Sequence, residues 1–403
     1  MKFIEGGVCA AQGFTASGIH CGIRKNRDKR DLALIVSQKR AAAAAVYTQN
    51  LVKGAPLLVT KANIADGCAS AILCNSGNAN TCNADGEEVA QKMCALAADA
   101  LGIPAADVVV ASTGVIGQRL DISPIAAGME ALVSGLSADA LPAAEAILTT
   151  DTKVKSVAVE FSLGGKTARL GGIAKGSGMI HPNMATMLVF VTTDAAIAPG
   201  MLQKALSADV QTSFNRISVD GDTSTNDMCC VLANGMAGNA EITAEGEDYA
   251  AFCAALNAVT TALCRMIARD GEGATKLVEC TLTGAKTQAA ADAVSKAVIC
   301  SSLVKAAMFG SDANWGRVLC AIGYAGADVD VNKVDVYFRS AAGRVSVCKS
   351  GAGVDFSEDE AKKVLLEDEV TIEVDLNDGN FSSVAWGCDL TYDYVKINGD
   401  YRT

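Results

Sequence analysis

The chain has 403 residues, half of them hydrophobic but only 5% aromatic, and a net charge of -11. That length calls for two α/β-sized units with aliphatic interiors, and the abundance of Ala and Gly points to closely packed helices and sheets. An acidic chain lacks the cationic footprint of a nucleic-acid-binding protein, and its one basic run, RKNRDKR from Arg24 to Arg30, reads as a solvated turn between two strands.

Fifteen cysteines are scattered in apolar surroundings such as KMCAL and VLCAI, which reads as reduced core residues rather than a disulfide framework. With no C-x-x-C pair and only His20 and His181, a zinc site has no support. The N-terminal MKFIEGGVCAAQGF has no apolar targeting core, and no window holds eighteen uninterrupted apolar residues, so a soluble, cytoplasmic protein is expected.

In chain order, LALIVSQ and AAAAAVYTQ read as strands, and GCASAILCNSGNAN as a strand running into a turn rich in Gly and Asn. A helix follows in GEEVAQKMCALAADALG, where Val89, Met93, Leu96, Ala97 and Leu101 share a face and Gly102 ends it. DVVVAS, from Asp107 to Ser112, is a short β-branched strand that ends in TGVIGQ. SVAVEF and TARLGGIA pair as a hairpin around Gly164 and Gly165, and Pro199 opens a helix carrying Leu202, Leu206 and Val210. SVDGDTSTND is a polar loop, and EDYAAFCAALNAVTTALCRMIARD is one long helix. KVDVYF, GRVSVC, EVTIEVDL and FSSVAWGC then alternate as strands, the last two joined across NDGN, and define a second α/β unit over roughly residues 280–403.

Two histidines make a Ser-His-Asp triad hard to assemble, and no G-x-S-x-G elbow is present. GGIAKGSG lacks the lysine spacing of a phosphate-cradling loop and leads into a strand. The stretch from Ala174 to Ala195, AKGSGMIHPNMATMLVFVTTDA, passes from glycine-rich to continuously apolar, with Thr186 at the joint. A threonine becomes a nucleophile when its own α-amine is free to act as base, which here requires breaking the Ala185-Thr186 bond. Spacing alone serves equally well for a Thr186 that simply begins a strand.

The block KGSGMIHPNMATML, from Lys175 to Leu188, resembles the self-cleavage region of the ornithine acetyltransferases, or glutamate N-acetyltransferases, of arginine biosynthesis. AAVYTQNLVKGAP, NSGNANTCN, STGVIGQ, TTDT, SVDGDTSTND, RDGEGATK, SDANWGRV and VKINGDYRT are similar to further blocks of that family, in order over nearly the whole chain. The resemblance implies an α/β sandwich of sheets and helices, close in chemistry to the N-terminal-nucleophile hydrolases but differently connected. It implies self-cleavage into segments 1–185 and 186–403, with Thr186 as nucleophile after Ala185, and Thr113 and Gly114 as the oxyanion-stabilising pair. Thr152, Lys175, Thr186, Glu272, Asn398 and Thr403 match the substrate-contacting positions: Glu272 for the ammonium of N-acetylornithine, Lys175 and the C-terminal residues for its carboxylate or acetyl end. Acetyl passes to glutamate without metal or redox cofactor, acetyl-CoA being a co-substrate in the bifunctional members alone, and the two segments assemble as α2β2 or larger. A self-cleaving amidase or aminopeptidase of related fold is the alternative.

Overall fold

Among the described residues, 1–181 and 187–400 of the computed structural model, the chain divides into two α/β units. The first takes in Met1–Gly176, Pro182–Asn215 and Thr223–Leu263, the second Ser177–His181, Arg216–Asp222 and Cys264–Thr403. Ala185, Thr186 and Thr403 lie outside the described residues.

The first unit follows the order β1 (Lys2–Ile4), β2 (Phe14–Ile19), β3 (Leu32–Tyr47), α1 (Ala55–Asn63), β4 (Cys68–Asn78), α2 (Gly86–Leu101), β5 (Val108–Val115), α3 (Ser123–Ser134), α4 (Leu141–Ala146), β6 (Lys155–Leu163), β7 (Lys166–Lys175), β8 (Leu188–Thr193), α5 (Pro199–Thr212) and β9 (Met228–Ala233). The helix α6 (Glu247–Arg269) comes next. Among the described residues the strands form one sheet in the order β1-β6-β7-β8-β9-β3-β4-β5, with β2 paired to β3. Side chains alternate across it, so that Ile35, Ile72 and Val109 enter one core with Phe190 and Leu232. Leu34, Leu73, Val108 and Val110 face the other way, onto Met93 and Ala97 of α2 and Leu132 of α3.

Several expectations change in detail. LALIVSQ and AAAAAVYTQ are one 16-residue strand, β3, whose pairing with β4 shifts register between Val36 and Ala41. In α2 the buried face is Val89, Met93 and Ala97, with Gly102 at φ 68 as the cap, while Leu96 and Leu101 are only half-buried. SVDGDTSTND is the polar loop expected, but Ser218, Thr225, Asn226 and Asp227 in it are buried, the first three with side-chain hydrogen bonds. Cys94 is a core residue as expected, whereas Cys320 of VLCAI is exposed. By length and composition α6 could cross a membrane, but its Phe252, Leu256, Val259 and Leu263 are buried in protein.

The second unit contains β10 (Leu277–Ala285), α7 (Gln288–Cys300), α8 (Ser302–Phe309), α9 (Trp315–Gly323), β11 (Asp335–Ser340), β12 (Gly343–Lys349), β13 (Ala352–Gly353), α10 (Glu358–Leu365), β14 (Glu369–Asp375), β15 (Phe381–Cys388) and α11 (Tyr392–Asp400). Its strands run β13-β12-β11-β14-β10-β15. β14 and β15, consecutive across NDGN, are not partners: β10 lies between them, parallel to β14 and antiparallel to β15. The 282–285 irregularity in β10 hides its alternation at that end.

Within the first unit the start of β6 and the end of β7 share a buried ion pair. Lys155 Nζ donates to Asp151 Oδ1 at 2.7 Å with both side chains fully buried. The same oxygen accepts from the Gly176 amide at 2.7 Å, and Oδ2 from the Thr149 amide at 3.0 Å. Burial alone would raise the Asp151 pKa, but Lys155 and Lys175 outweigh it and bring the carboxyl down to about 2. Because the folded-state pKa is depressed, its contribution is complete above the unfolded value near ~3.9 and is lost as pH falls through about 2. The pair should therefore contribute about 2–3 kcal/mol at neutral pH that disappears between roughly pH 4 and pH 2. Urea titrations of wild type and Asp151→Asn across that range check it; a wild-type advantage that persists undiminished at pH 2 would refute it.

Candidate active site

In the first unit the expected oxyanion pair belongs to the strand itself rather than to a turn after it. β5 runs on through Thr113 and Gly114, which pair in parallel register with Ser76 and Gly77 of β4 before a bulge at Asn78. Gly114 has φ 128, and a Cβ there would lie 2.4 Å from the Gly77 carbonyl carbon and 2.6 Å from the Asn78 nitrogen. Only glycine fits this approach, so the Gly114 amide is held in a fixed direction by its neighbours.

That strand end is tied to the lead-in of β9 by Asn226. Its Oδ1 accepts from the hydroxyls of Thr81 at 2.5 Å and Thr225 at 2.7 Å, and its Nδ2 donates to the carbonyls of Ala79 at 2.5 Å and Ser112 at 2.9 Å. Two residues on, the Met228 amide donates to the Met187 carbonyl at 2.9 Å, and β8 and β9 then run parallel from Leu188 and Met228. On its other side Leu188 pairs with Lys175, the last residue of β7. Met187, which follows Thr186 in the chain, is thus buried with its carbonyl held by Met228, and Leu188 after it lies between Lys175 and Met228.

Charge around this end of the sheet is uneven. Asp227 is buried and its Oδ2 has no hydrogen-bond partner; burial pushes its carboxyl well above the ordinary value, against the pull of Lys175 and Ser224. Asp151 is ionised, and its neighbour Thr152 is exposed. Thr152 and Asp151 border a cavity of about 540 Å³ whose wall includes Arg27, Lys29 and Arg30. The basic run is therefore not only a solvated turn. It is folded onto buried Asp31, which accepts from the amides of Cys21, Gly22 and Arg24 at 2.6, 3.2 and 3.0 Å, while Arg30 pairs with Glu145 at 3.0 Å.

The second unit brings Glu272 and Asn398 together. Asn398 Nδ2, on α11, donates to Glu272 Oε2 at 2.7 Å, so the amide holds the carboxylate in place. The Glu272 amide in turn donates to the Ser177 carbonyl at 3.0 Å, and Ser177 Oγ donates to the Asp270 carbonyl at 2.6 Å. A Cβ on Gly178 would fall 2.4 Å from the Glu272 carboxyl carbon. His181 is held neutral: burial, then Lys296, lowers its pKa to about 4, and Nδ1 lies 3.1 Å from Ser218 Oγ.

The residues that build these surroundings, Asp151, Asn226 and Asp227, sit within the quoted blocks TTDT and SVDGDTSTND, but nothing in their spacing distinguishes them from turn formers. Their burial beside apolar strands is the missing signal, and it arises only from tertiary packing.

A glycine-lined strand end with a fixed amide suits the oxyanion of acyl transfer, and it is with acyltransferases of mixed α/β architecture that the chain as a whole is aligned. The ArgJ family matches residues 15–403, and the chain belongs to that family. It is 50% identical to the arginine biosynthesis bifunctional protein ArgJ of Caldanaerobacter subterraneus subsp. tengcongensis, with 100% of both chains covered. It is 51% identical to ArgJ 1 of Clostridium acetobutylicum over 97% of this chain and 96% of that one. Among solved structures, the arginine biosynthesis bifunctional protein argJ of Bacillus halodurans is 50% identical with a TM-score of 0.50, covering 53% of this chain and 98% of its own.

Gly178→Ala should push aside the Glu272 carboxylate, the movable end of its side chain, and part it from Asn398, at a cost of about 1 kcal/mol for the lost hydrogen bond. Denaturant titration measures the loss. In a Glu272→Ala background, where that bond and the obstructing group are already gone, Gly178→Ala should cost almost nothing further; equal losses in both backgrounds would place the strain elsewhere.

Proposed function

We propose that the chain transfers acetyl from N2-acetyl-L-ornithine to L-glutamate, giving ornithine and N-acetylglutamate by a ping-pong route through acetyl-Thr186. The observation that carries this reading is the family match over residues 15–403, together with relatives about 50% identical over their full length that are named for arginine biosynthesis.

Maturation comes first. Thr186 Oγ1 attacks the Ala185 carbonyl carbon, the bond to the residue 186 nitrogen breaks as that nitrogen takes up a proton, and water hydrolyses the resulting ester. Segments 1–185 and 186–403 remain associated, and the new α-amine serves as base. One comparison supports the cut: 53% of this chain accounts for 98% of the solved Bacillus halodurans chain, and residues 186–403 are about 54% of the 403 here.

In transfer, Thr186 Oγ1 attacks the acetyl carbonyl while the Thr113 and Gly114 positions stabilise the oxyanion. Ornithine leaves with a proton, and the amine of glutamate then attacks the ester. The carboxylate of Glu272, held by Asn398, reads the distal ammonium of ornithine, and Lys175 and Thr152, with Thr403, take the carboxylate or acetyl end. The β-branched threonine restricts χ1 and so keeps its hydroxyl aimed. The bifunctional naming of the relatives favours acetyl-CoA as a second donor. A cytoplasmic α2β2 assembly, free of metal and redox cofactor, completes the reading.

Thr186→Ala should leave a single full-length band on a denaturing gel and lower acetyl transfer by roughly 10⁴-fold or more. With wild type, labelled acetyl should exchange between ornithine and glutamate. Steady release of acetate without exchange would assign the chain to the amidases instead, and cleavage in the alanine variant would remove Thr186 from its role.

A further inference from the structure

The segment Ser177–His181 lies directly before the stretch that the proposed cut divides, and within the second unit it is gripped from two sides. On one side the Glu272 amide holds the Ser177 carbonyl and Ser177 Oγ holds the Asp270 carbonyl. On the other, the Val219 amide donates to the Ile180 carbonyl at 2.7 Å and Ser218 Oγ donates to the same oxygen at 3.2 Å. Between these grips the backbone turns through Met179 at φ 55.

A methionine in the left-handed region is uncommon, because its Cβ crowds the backbone there and nothing in the side chain compensates. Met179 is 43% exposed, so core packing does not hold it in that conformation. What holds it is a carboxylate. Asp220 Oδ2 accepts from the Met179 amide at 2.6 Å, and Oδ1 accepts from the Ile180 amide at 2.9 Å and from the Asp222 amide at 3.2 Å. Two consecutive amides converging on one carboxylate are charge-assisted bonds, stronger than the neutral bonds of an ordinary turn. The same carboxylate acts on Tyr394 of α11: burial, then Asp220 and Glu272, push that phenol up, so it stays protonated beside them. Asn398, one helical turn further along α11, carries the bond to Glu272.

We propose that Asp220 is a positioning residue of self-cleavage: it fixes the left-handed turn at Met179, six residues ahead of Ala185 in the chain, and the rate of cleavage depends on that turn being kept. The role rests on the cleavage reading above and extends it from the nucleophile to the device that presents the bond. Asp220 exchanges no atom with the reacting groups. It stores local strain at Met179 and holds it in place with charge-assisted bonds that outlast the cut.

The test follows conversion of freshly synthesised full-length precursor into its two segments on denaturing gels. Asp220→Asn, which keeps the shape but loses the charge and one acceptor oxygen, should slow conversion roughly tenfold to hundredfold. Adding Met179→Gly should restore most of the rate, because glycine adopts positive φ without strain. Because a glycine at positive φ also stabilises the fold, the urea midpoint of each variant is measured alongside, and conversion rates that merely track those midpoints would overturn the role. Met179→Val, which leaves Asp220 and its bonds in place but adds a β-branched side chain at positive φ, should slow conversion by itself and covers the case in which Asp220→Asn does not fold. Wild-type rates in Asp220→Asn or Met179→Val, or an Asp220→Asn defect that Met179→Gly leaves untouched, would overturn the role. A wild-type precursor that stays whole would overturn the cleavage reading itself and this role with it, so the two failures are told apart by the wild-type lane.

Discussion

The arrangement of the first unit depends on one buried amide. Asn226 uses both lone pairs and both protons on groups from different elements: two threonine hydroxyls, the Ala79 carbonyl after β4 and the Ser112 carbonyl within β5. A buried amide with all four positions met specifies a geometry that apolar packing cannot, since any shift leaves a polar group without a partner. Its tightness is visible at Gly54, where a Cβ would fall 2.5 Å from Asn226 Nδ2. The end of β5 that carries Thr113 and Gly114 is fixed through this side chain to the start of β9. From there it is fixed through Met228 to Met187, the residue after the proposed nucleophile.

Glycine and aspartate finish what asparagine begins. Gly114 lets two backbones approach within a distance that excludes any side chain, which directs its amide without a bulky neighbour. In the second unit, Gly178 does the same beside the Glu272 carboxylate, and Asp220 imposes the turn that follows. Gly178 and Met179 are consecutive, so a change at either reaches both the Glu272 carboxylate and the Asp220 turn through backbone rather than through long side chains.

The sequence made much of this legible, and the gaps have physical causes. Helices α2, α5 and α6 follow their apolar spacing because each buries one face, and the β6–β7 hairpin follows its paired glycines. The continuity of β3 was not legible, since LALIVSQ and AAAAAVYTQ read as separate strands until β4 and β9 are seen pairing with its two ends. Placement of β10 between β14 and β15 is a tertiary choice that a local turn signal at NDGN cannot report. At the site, the glycine and threonine positions were readable as blocks, whereas Asp220, Asn226 and Asp227 reveal themselves only by what they touch or fail to touch. A polar residue inside a polar stretch carries no periodic signal.

Two of the buried aspartates of the first unit, Asp151 and Asp227, show why the distinction between paired and unpaired matters for the α-amine that the proposed function takes as base. Asp151 faces Lys155 and Lys175 and stays ionised, whereas burial pushes the carboxyl of Asp227, which has an unpartnered oxygen, well above its ordinary range. An α-amine titrates near pH ~8, and a carboxylate beside it would favour the ammonium and so remove the base at neutral pH. Asp227 adjoins Met228, whose amide holds the Met187 carbonyl. A carboxyl held back from ionising adds less of that penalty than one at its ordinary pKa. The unmatched oxygen of Asp227 is then not a flaw in packing: it goes with a raised carboxyl pKa, and so with less negative charge at the end of the sheet where β8 and β9 begin.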